Sequence, residues 1–440
     1  MRKIIFLFML ISSVSKAQET VSFYSIDSAS YVEYMNNDFK QIKETGKAAL
    51  KEGLDYYYLR MRLGIVGYNH KNYEYALPHF ERAYEMNPMD TTTQEYLYYT
   101  YLYSGRIENA NALASNFSES LKNKIGFKTK RLDSFSVGFA DYINSNVADN
   151  TAKSYIYPSY MRGETELNGK ATGENIMFQT TRNYRLHFYN KLSIYQTNST
   201  GIEQFQIPVK KVIKDYSNNQ IQYNWGFSKT TKKEFLWGGG FAYFLTNTSK
   251  LEAHPSQMNQ SMIVIEDVTT RYNNFLGSVT LGKRVKYYMP SVSISYSNLY
   301  DQTQFQTEFS VTYYPLGNVN LYGTSSYAYL NNNGKNQQVI GQKIGCKVTS
   351  WLWLEGKYSA GNHQNYMGNG GFIAFNTLDP IKVNASLDLH FYIKKMELIL
   401  GYTYQKRTGM YLQYLDPTDI TTTTYNYINT NLTTTLKWNF

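Results

Sequence analysis

The chain of 440 residues contains one cysteine and nine prolines. A lone Cys346 excludes an intramolecular disulfide framework, even in a compartment where disulfides form. Beyond the first residues no apolar run reaches the roughly eighteen residues that a transmembrane helix needs, and the mean hydropathy is negative. That excludes helical membrane spans but not a β-barrel, whose strands expose one apolar and one polar face and so average to low hydropathy. No His, Cys and carboxylate cluster has metal-ligand spacing, and no glycine-rich loop is placed to cradle a phosphate; Gly238, Gly239 and Gly240 fall inside a strand pattern, where they relieve crowding. His187 and His390 lie on expected inward faces far apart in sequence, His254 falls in a loop, and His70 and His79 belong to a helical segment, none in a hydrolase context. The expectation is a protein with no catalytic residues, no metal and no cofactor, hence not an enzyme, and with no nucleic-acid partner.

The chain opens with Arg2 and Lys3, an apolar run from Ile4 to Ile11, and small Ser15 and Ala17 ahead of Gln18, which reads as a secretory signal peptide over residues 1–17. Tyrosine is abundant, 44 residues in all, and the net charge is +10. Residues 18–130 hold 13 Lys and Arg against 14 Asp and Glu, whereas residues 131–440 hold 28 against 20, so the basic excess belongs to the second part. Its cations gather at expected short turns: Lys229, Lys232 and Lys233; Lys283, Arg284 and Lys286; Lys394 and Lys395. They form either a solvated rim that meets lipid head groups or an attractor for an anionic partner.

Residues 18–130 read as a helical domain. Leu63 and Gly64, then Tyr73, Ala76, Phe80 and Ala83, closed by Pro88, set small residues where two antiparallel helices approach and large ones in the gap between them. This pattern resembles a tetratricopeptide repeat. A second copy, shifted by 34 residues from Leu63 to Leu97, adds Tyr101, Gly105 and Ala110, and Phe39, Ile42, Ala48 and Ala49 suggest a further unit upstream. The resemblance implies two to three repeats forming a small surface that recruits a protein partner, or else a domain that steadies the mouth of the C-terminal part.

From residue 131 to 440 the period switches to two. Phe305, Phe309, Val311 and Tyr313 alternate with Gln304, Gln306, Glu308, Ser310 and Thr312; Ile381, Val383, Ala385, Leu387, Leu389 and Phe391 alternate with Lys382, Asn384, Ser386, Asp388, His390 and Tyr392. The charged face must be wet, because unpaired charge against lipid is costly. Lumen-facing candidates are Arg185, His187, Glu308, Lys343, Lys347, Glu355, Lys357, Lys382, Asp388, His390, Glu397 and Arg407, a mixed lining with basic preference. Short turns near 190, 231, 284, 316, 350 and 394 alternate with longer connections, giving an antiparallel barrel of about fourteen strands if residues 153–166 and 367–377 are outer loops, and sixteen if they are not. Leu432, Leu436, Trp438 and the terminal Phe440 share one face of the last strand, which resembles the sorting signature read by the machinery that inserts outer-membrane barrels.

The layout therefore resembles outer-membrane proteins that join periplasmic tetratricopeptide repeats to a C-terminal transmembrane β-barrel, including exopolysaccharide-export pores. That resemblance implies a Gram-negative outer-membrane location with the repeats in the periplasm, contact with outer-membrane lipid and the insertion machinery, and a porin-like transport or export role for a hydrophilic solute, for which the basic lining would favour an anion. A non-conducting adhesion or assembly protein is the alternative, and a lipid-modifying barrel enzyme comes third.

Overall fold

The computed structural model describes residues 22–128, 134–144, 158–171, 176–189, 195–196, 216–231, 233–255, 263–368, 373–376, 380–414 and 420–439. The expected signal peptide, Lys232 and Phe440 lie outside them.

Among the described residues seven helices come first: α1 (Phe23–Met35), α2 (Phe39–Lys51), α3 (Tyr57–Asn69), α4 (Tyr73–Met86), α5 (Thr91–Tyr103), α6 (Ile107–Ser115) and α7 (Glu119–Ile125). Five of these starts, all but those of α3 and α6, are written in short polar side chains that accept from the otherwise orphaned N–H groups of the first turn. Asp38 accepts from the Gln41 amide at 3.0 Å, Asn72 from Tyr75 at 3.1 Å, Asp90 from Thr93 at 2.6 Å and Ser118 from Leu121 at 3.3 Å. Gly64 lets α3 and α4 meet: a Cβ there would lie 2.6 Å from the Phe80 ring. Leu63 and Ile42 fill one buried cluster, while Ala76, Phe80, Ala83 and Leu97 fill the next. Tyr73 is nearly buried, and Pro88 follows the C-cap of α4.

Seventeen strands come after them among the described residues: β1 (Ser134–Asn144), β2 (Pro158–Ala171), β3 (Ile176–Tyr189), β4 (Tyr195–Gln196), β5 (Tyr216–Thr230), β6 (Phe235–Pro255), β7 (Ile263–Lys283), β8 (Tyr288–Ser297), β9 (Gln304–Tyr313), β10 (Leu321–Asn332), β11 (Lys335–Lys347), β12 (Leu352–Gly361), β13 (Met367–Gly368), β14 (Ile373–Ala374), β15 (Ile381–Ile393), β16 (Met396–Tyr414) and β17 (Ile420–Asn439). Three of them are two-residue pieces: β13 pairs with β14, and β4 runs parallel to the end of β16. The other fourteen form one antiparallel sheet in which every strand has two neighbours, because β1 pairs with β17 and β15 pairs with both β12 and β16. The sheet closes into a fourteen-stranded barrel, as the turn spacing predicts, and the sixteen-strand alternative is not realised among the described residues.

One strand is assigned differently from the sequence reading. Residues 158–171 are the barrel strand β2, not part of an outer loop, and the sheet neighbour of β3 is β5, so the strand that follows β3 in the sheet is not one joined to it by the short turn expected near 190. The reason is composition. Arg162, Glu164 and Glu166 alternate with Met161, Gly163 and Thr165, and a Gly and a Thr on the second face leave too little apolar contrast to read as a strand.

The barrel is inverted relative to a water-soluble core. Val279, Leu281, Phe309, Ile340, Ile344 and Leu432 are large, apolar and exposed, while Gln304, Gln306, Asn429 and Asn431 are buried. Cys346 sits in register with Leu354 and Leu321 on the outward face. Leu436, in register with Val137 and Leu398, and Trp438 continue that face across the closing seam. Among the described residues no helix is long and apolar enough to cross a membrane.

Candidate functional site: the barrel lumen

The lumen holds a cavity of about 780 Å³, within the range of small-molecule sites. Its wall carries small hydroxyl side chains, including Ser291, Ser293, Ser310, Thr312, Thr324 and Ser326. Several pair across adjacent strands, Ser291 with Ser310 at 2.7 Å, Thr280 with Ser293 at 2.8 Å and Thr312 with Thr324 at 3.0 Å, so the polar wall is held by its own hydrogen bonds.

Four expected lumen residues converge on one side. Lys357 reaches Glu355 at 2.7 Å and Asp388 at 3.0 Å, Lys343 approaches Glu355 at 3.8 Å, and the Tyr322 hydroxyl donates to Glu355. The register explains the ladder: Glu355 lies opposite Asp388, and Lys343 opposite Lys357. Nearer the helical end His390 contacts Glu397 at 2.8 Å, and Glu397 also meets Lys437 at 3.4 Å. Arg407 is buried and donates to Gln405 at 3.0 Å. Lys347 is exposed at the end of β11. Lys382 falls at a β-bulge: Ile381 pairs with Arg407 and Val383 with Lys406, so Ile381 takes the buried position and Lys382 is exposed and absent from the cavity wall. The side chains of Arg185 and His187 lie outside the described residues.

The cavity wall carries three carboxylates, Glu308, Glu355 and Asp388, and two ammonium groups, Lys343 and Lys357, while Lys347 sits at a strand end and Lys382 at the bulge.

At the end away from the helices the segment between β12 and β15 folds inward. Met367 exchanges two hydrogen bonds with the inward side chain of Gln306, at 2.7 and 2.9 Å, and the Tyr366 hydroxyl donates to Glu308 at 2.8 Å. Tyr366, Met367, Ala374 and Phe375 pack on Ala242, Phe244, Leu276 and Leu330 of the barrel wall, forming an apolar roof. His363 anchors its base, bonding Ser359 at 2.8 Å and the Ile381 carbonyl at 2.9 Å. Phe244, Leu276 and Leu330 sit on the otherwise polar parity of their strands, and that break in alternation is the sequence signal for the roof.

At the other end the helical domain is docked on three turns, at 231–234, 284–287 and 314–320. Glu74 accepts from Arg106 at 2.6 and 2.9 Å and from Arg284 at 2.5 Å, while Arg106 also reaches Glu234 at 2.7 Å. Asn318 donates to the Lys71 carbonyl at 2.8 Å, and the Glu74 amide donates to Gly317 at 3.1 Å. Gly317 holds φ +66°, and a Cβ there would collide with Asn72. Burial alone would lower the pKa of Arg106, but the Glu74 and Glu234 carboxylates outweigh it and hold the guanidinium above its usual range. Burial lowers Arg284, and repulsion by the neighbouring Arg106 charge lowers it further, while Glu74, whose one oxygen it shares, offsets only part of this. Arg284 is therefore no part of a solvated rim: it is buried and stacks 4.0 Å above the Tyr314 ring.

Fold and lumen together define the chain as a β-barrel protein with a docked helical domain. No family model and no curated protein matches it. Solved structures similar to it include the toluene transporter TodX of Pseudomonas putida, with 8% identity over 71% of this chain and 91% of that one and a TM-score of 0.46. A FadL homologue of Pseudomonas aeruginosa shows 10% identity over 75% and 94%, with a TM-score of 0.43. The translocator domain of the autotransporter NalP from Neisseria meningitidis shows 8% over 77% and 99%, with a TM-score of 0.31. At these identities and scores none of their properties transfers to this chain.

Proposed function

We propose that the protein is an outer-membrane channel whose barrel passes a hydrophilic solute and whose helical domain, on the periplasmic side, resembles tetratricopeptide repeats and recruits a protein partner. The observation that carries this reading is the closed sheet around a polar cavity: the exposed apolar face suits lipid, the hydroxyl and ion-pair lining suits water, and only a bilayer asks for both. The inward segment at Tyr366 and Met367 is then a gate, and the docked helices cover the opposite mouth. Osmotic swelling of proteoliposomes tests it: entry of a small neutral solute at rates above those of empty vesicles supports the channel, and identical rates overturn it. The second reading, a non-conducting assembly protein, draws on the same roof, since Tyr366, Met367 and Phe375 pack against the inner barrel wall.

A further inference from the structure

We infer that the cavity binds an organic ammonium cation, with Glu308 as its counter-ion and the Tyr366 and Phe375 rings as its π surface; the inference rests on the reading of the lumen as a solute path. Glu308 lines the cavity from β9, and its only partners among the described residues are neutral: the Tyr366 hydroxyl at 2.8 Å and the Gln306 amide at 3.5 Å. A carboxylate removed from bulk water without a cation is costly, and a cation entering beside it offsets that cost.

The nearby lysines do not fill this role. Lys343 is level with Thr324 and Thr312, four residues along β9 from Glu308, a separation of about 13 Å at the usual strand rise. Lys343 and Lys357 are also already held by Glu355 and Asp388. Among the described cavity residues Glu308 is thus the one charge left uncompensated.

The surroundings select the kind of cation. Tyr366, whose hydroxyl bonds Glu308, and Phe375, with ring centroids 5.5 Å apart, both line the cavity. Aromatic faces attract weakly hydrated, bulky cations such as alkylammonium groups, and a carboxylate beside them adds direct charge pairing. The hydroxyls of Ser293 and Ser310 on the same wall offer acceptors to a polar substituent.

Choline is the probe, compared with its uncharged analogue in which a tert-butyl group replaces trimethylammonium. Equilibrium binding to the refolded full chain in detergent is expected to be saturable and about tenfold tighter for choline than for the analogue. Glu308→Gln should bring choline down to the level of the analogue, while Glu308→Asp should keep most of the preference, with barrel content checked by circular dichroism in each variant. Equal binding of the two probes, absence of choline binding, or an unchanged preference in Glu308→Gln would overturn the inference. Solute entry is a separate measurement, so choline binding by a closed barrel would sink the channel reading and leave this inference intact, and a conducting barrel indifferent to choline would do the reverse.

Discussion

Glu74 of α4 and Arg284 of the turn after β7 are 210 residues apart in sequence and 2.5 Å apart in space. The contact ties two kinds of architecture together through one carboxylate that also holds Arg106 in a two-pronged pair. Removing the acceptor leaves two buried guanidinium groups without it, which costs about 3 to 5 kcal/mol. Glu74→Gln is therefore expected to release the helical domain from the barrel turns, seen as faster proteolysis between the two domains. Restoring neutrality with Glu74→Gln and Arg284→Met together should recover part of the loss.

His79 is buried in the helical domain beside Arg60, whose guanidinium is 3.1 Å from its Nδ1. Burial, and then the Arg60 charge, pull its pKa down to about 4 from 6.5. The folded state thus resists a proton that the unfolded state accepts, so stability is complete above pH 6.5 and falls as the pH drops from there toward 4. The loss approaches about 3 kcal/mol at the acid end. Thermal unfolding of the helical signal at pH 7 and pH 4.5 should show this drop, and His79→Gln should flatten it. Burial raises the Glu81 carboxyl, which acts in the opposite direction as the pH falls through its raised value, and the comparison with His79→Gln separates the two.

Phe80 fills the notch opened by Gly64. Phe80→Ala should destabilise the helical domain by about 3 to 5 kcal/mol. Gly64→Leu should be comparably damaging from the opposite direction, since the ring has no room to retreat among its buried neighbours. Chemical denaturation followed by helical circular dichroism checks both.

In the lumen the ladder at Lys357 predicts a contrast between two lysines that the sequence treats alike. Lys357→Glu removes the cation between Glu355 and Asp388 and should shift the reversal potential of a salt gradient toward cation selectivity. Lys382→Glu, on the bulge and off the cavity wall, should shift it much less. Equal effects would contradict the assigned lining.

Much of this was legible from periodicity. Alternation puts Glu355 and Lys357 on one parity of β12 and Asp388 and His390 on one parity of β15, and the first three line the same cavity. Alternation cannot foresee a bulge, so Lys382 departs from it. It cannot see a strand whose apolar face is Gly and Thr, hence β2. The roof and the Glu74 network were missed for another reason: both join residues far apart in the chain, and neither Arg284 in a basic turn nor Tyr366 in a polar loop carries a local sign of its partner. Glu308 was visible as an inward carboxylate, but its lack of a cationic partner is a property of the assembled wall.

Single-channel recording in planar bilayers, comparing the full chain with a variant in which residues 365–376 are replaced by a short Gly-Ser turn, reads the channel and its roof together. A gated channel gives small or rare openings from the native protein and larger, sustained conductance steps once the roof of Tyr366, Met367 and Phe375 is gone. Electrical silence from both, with barrel content intact by circular dichroism, would contradict it.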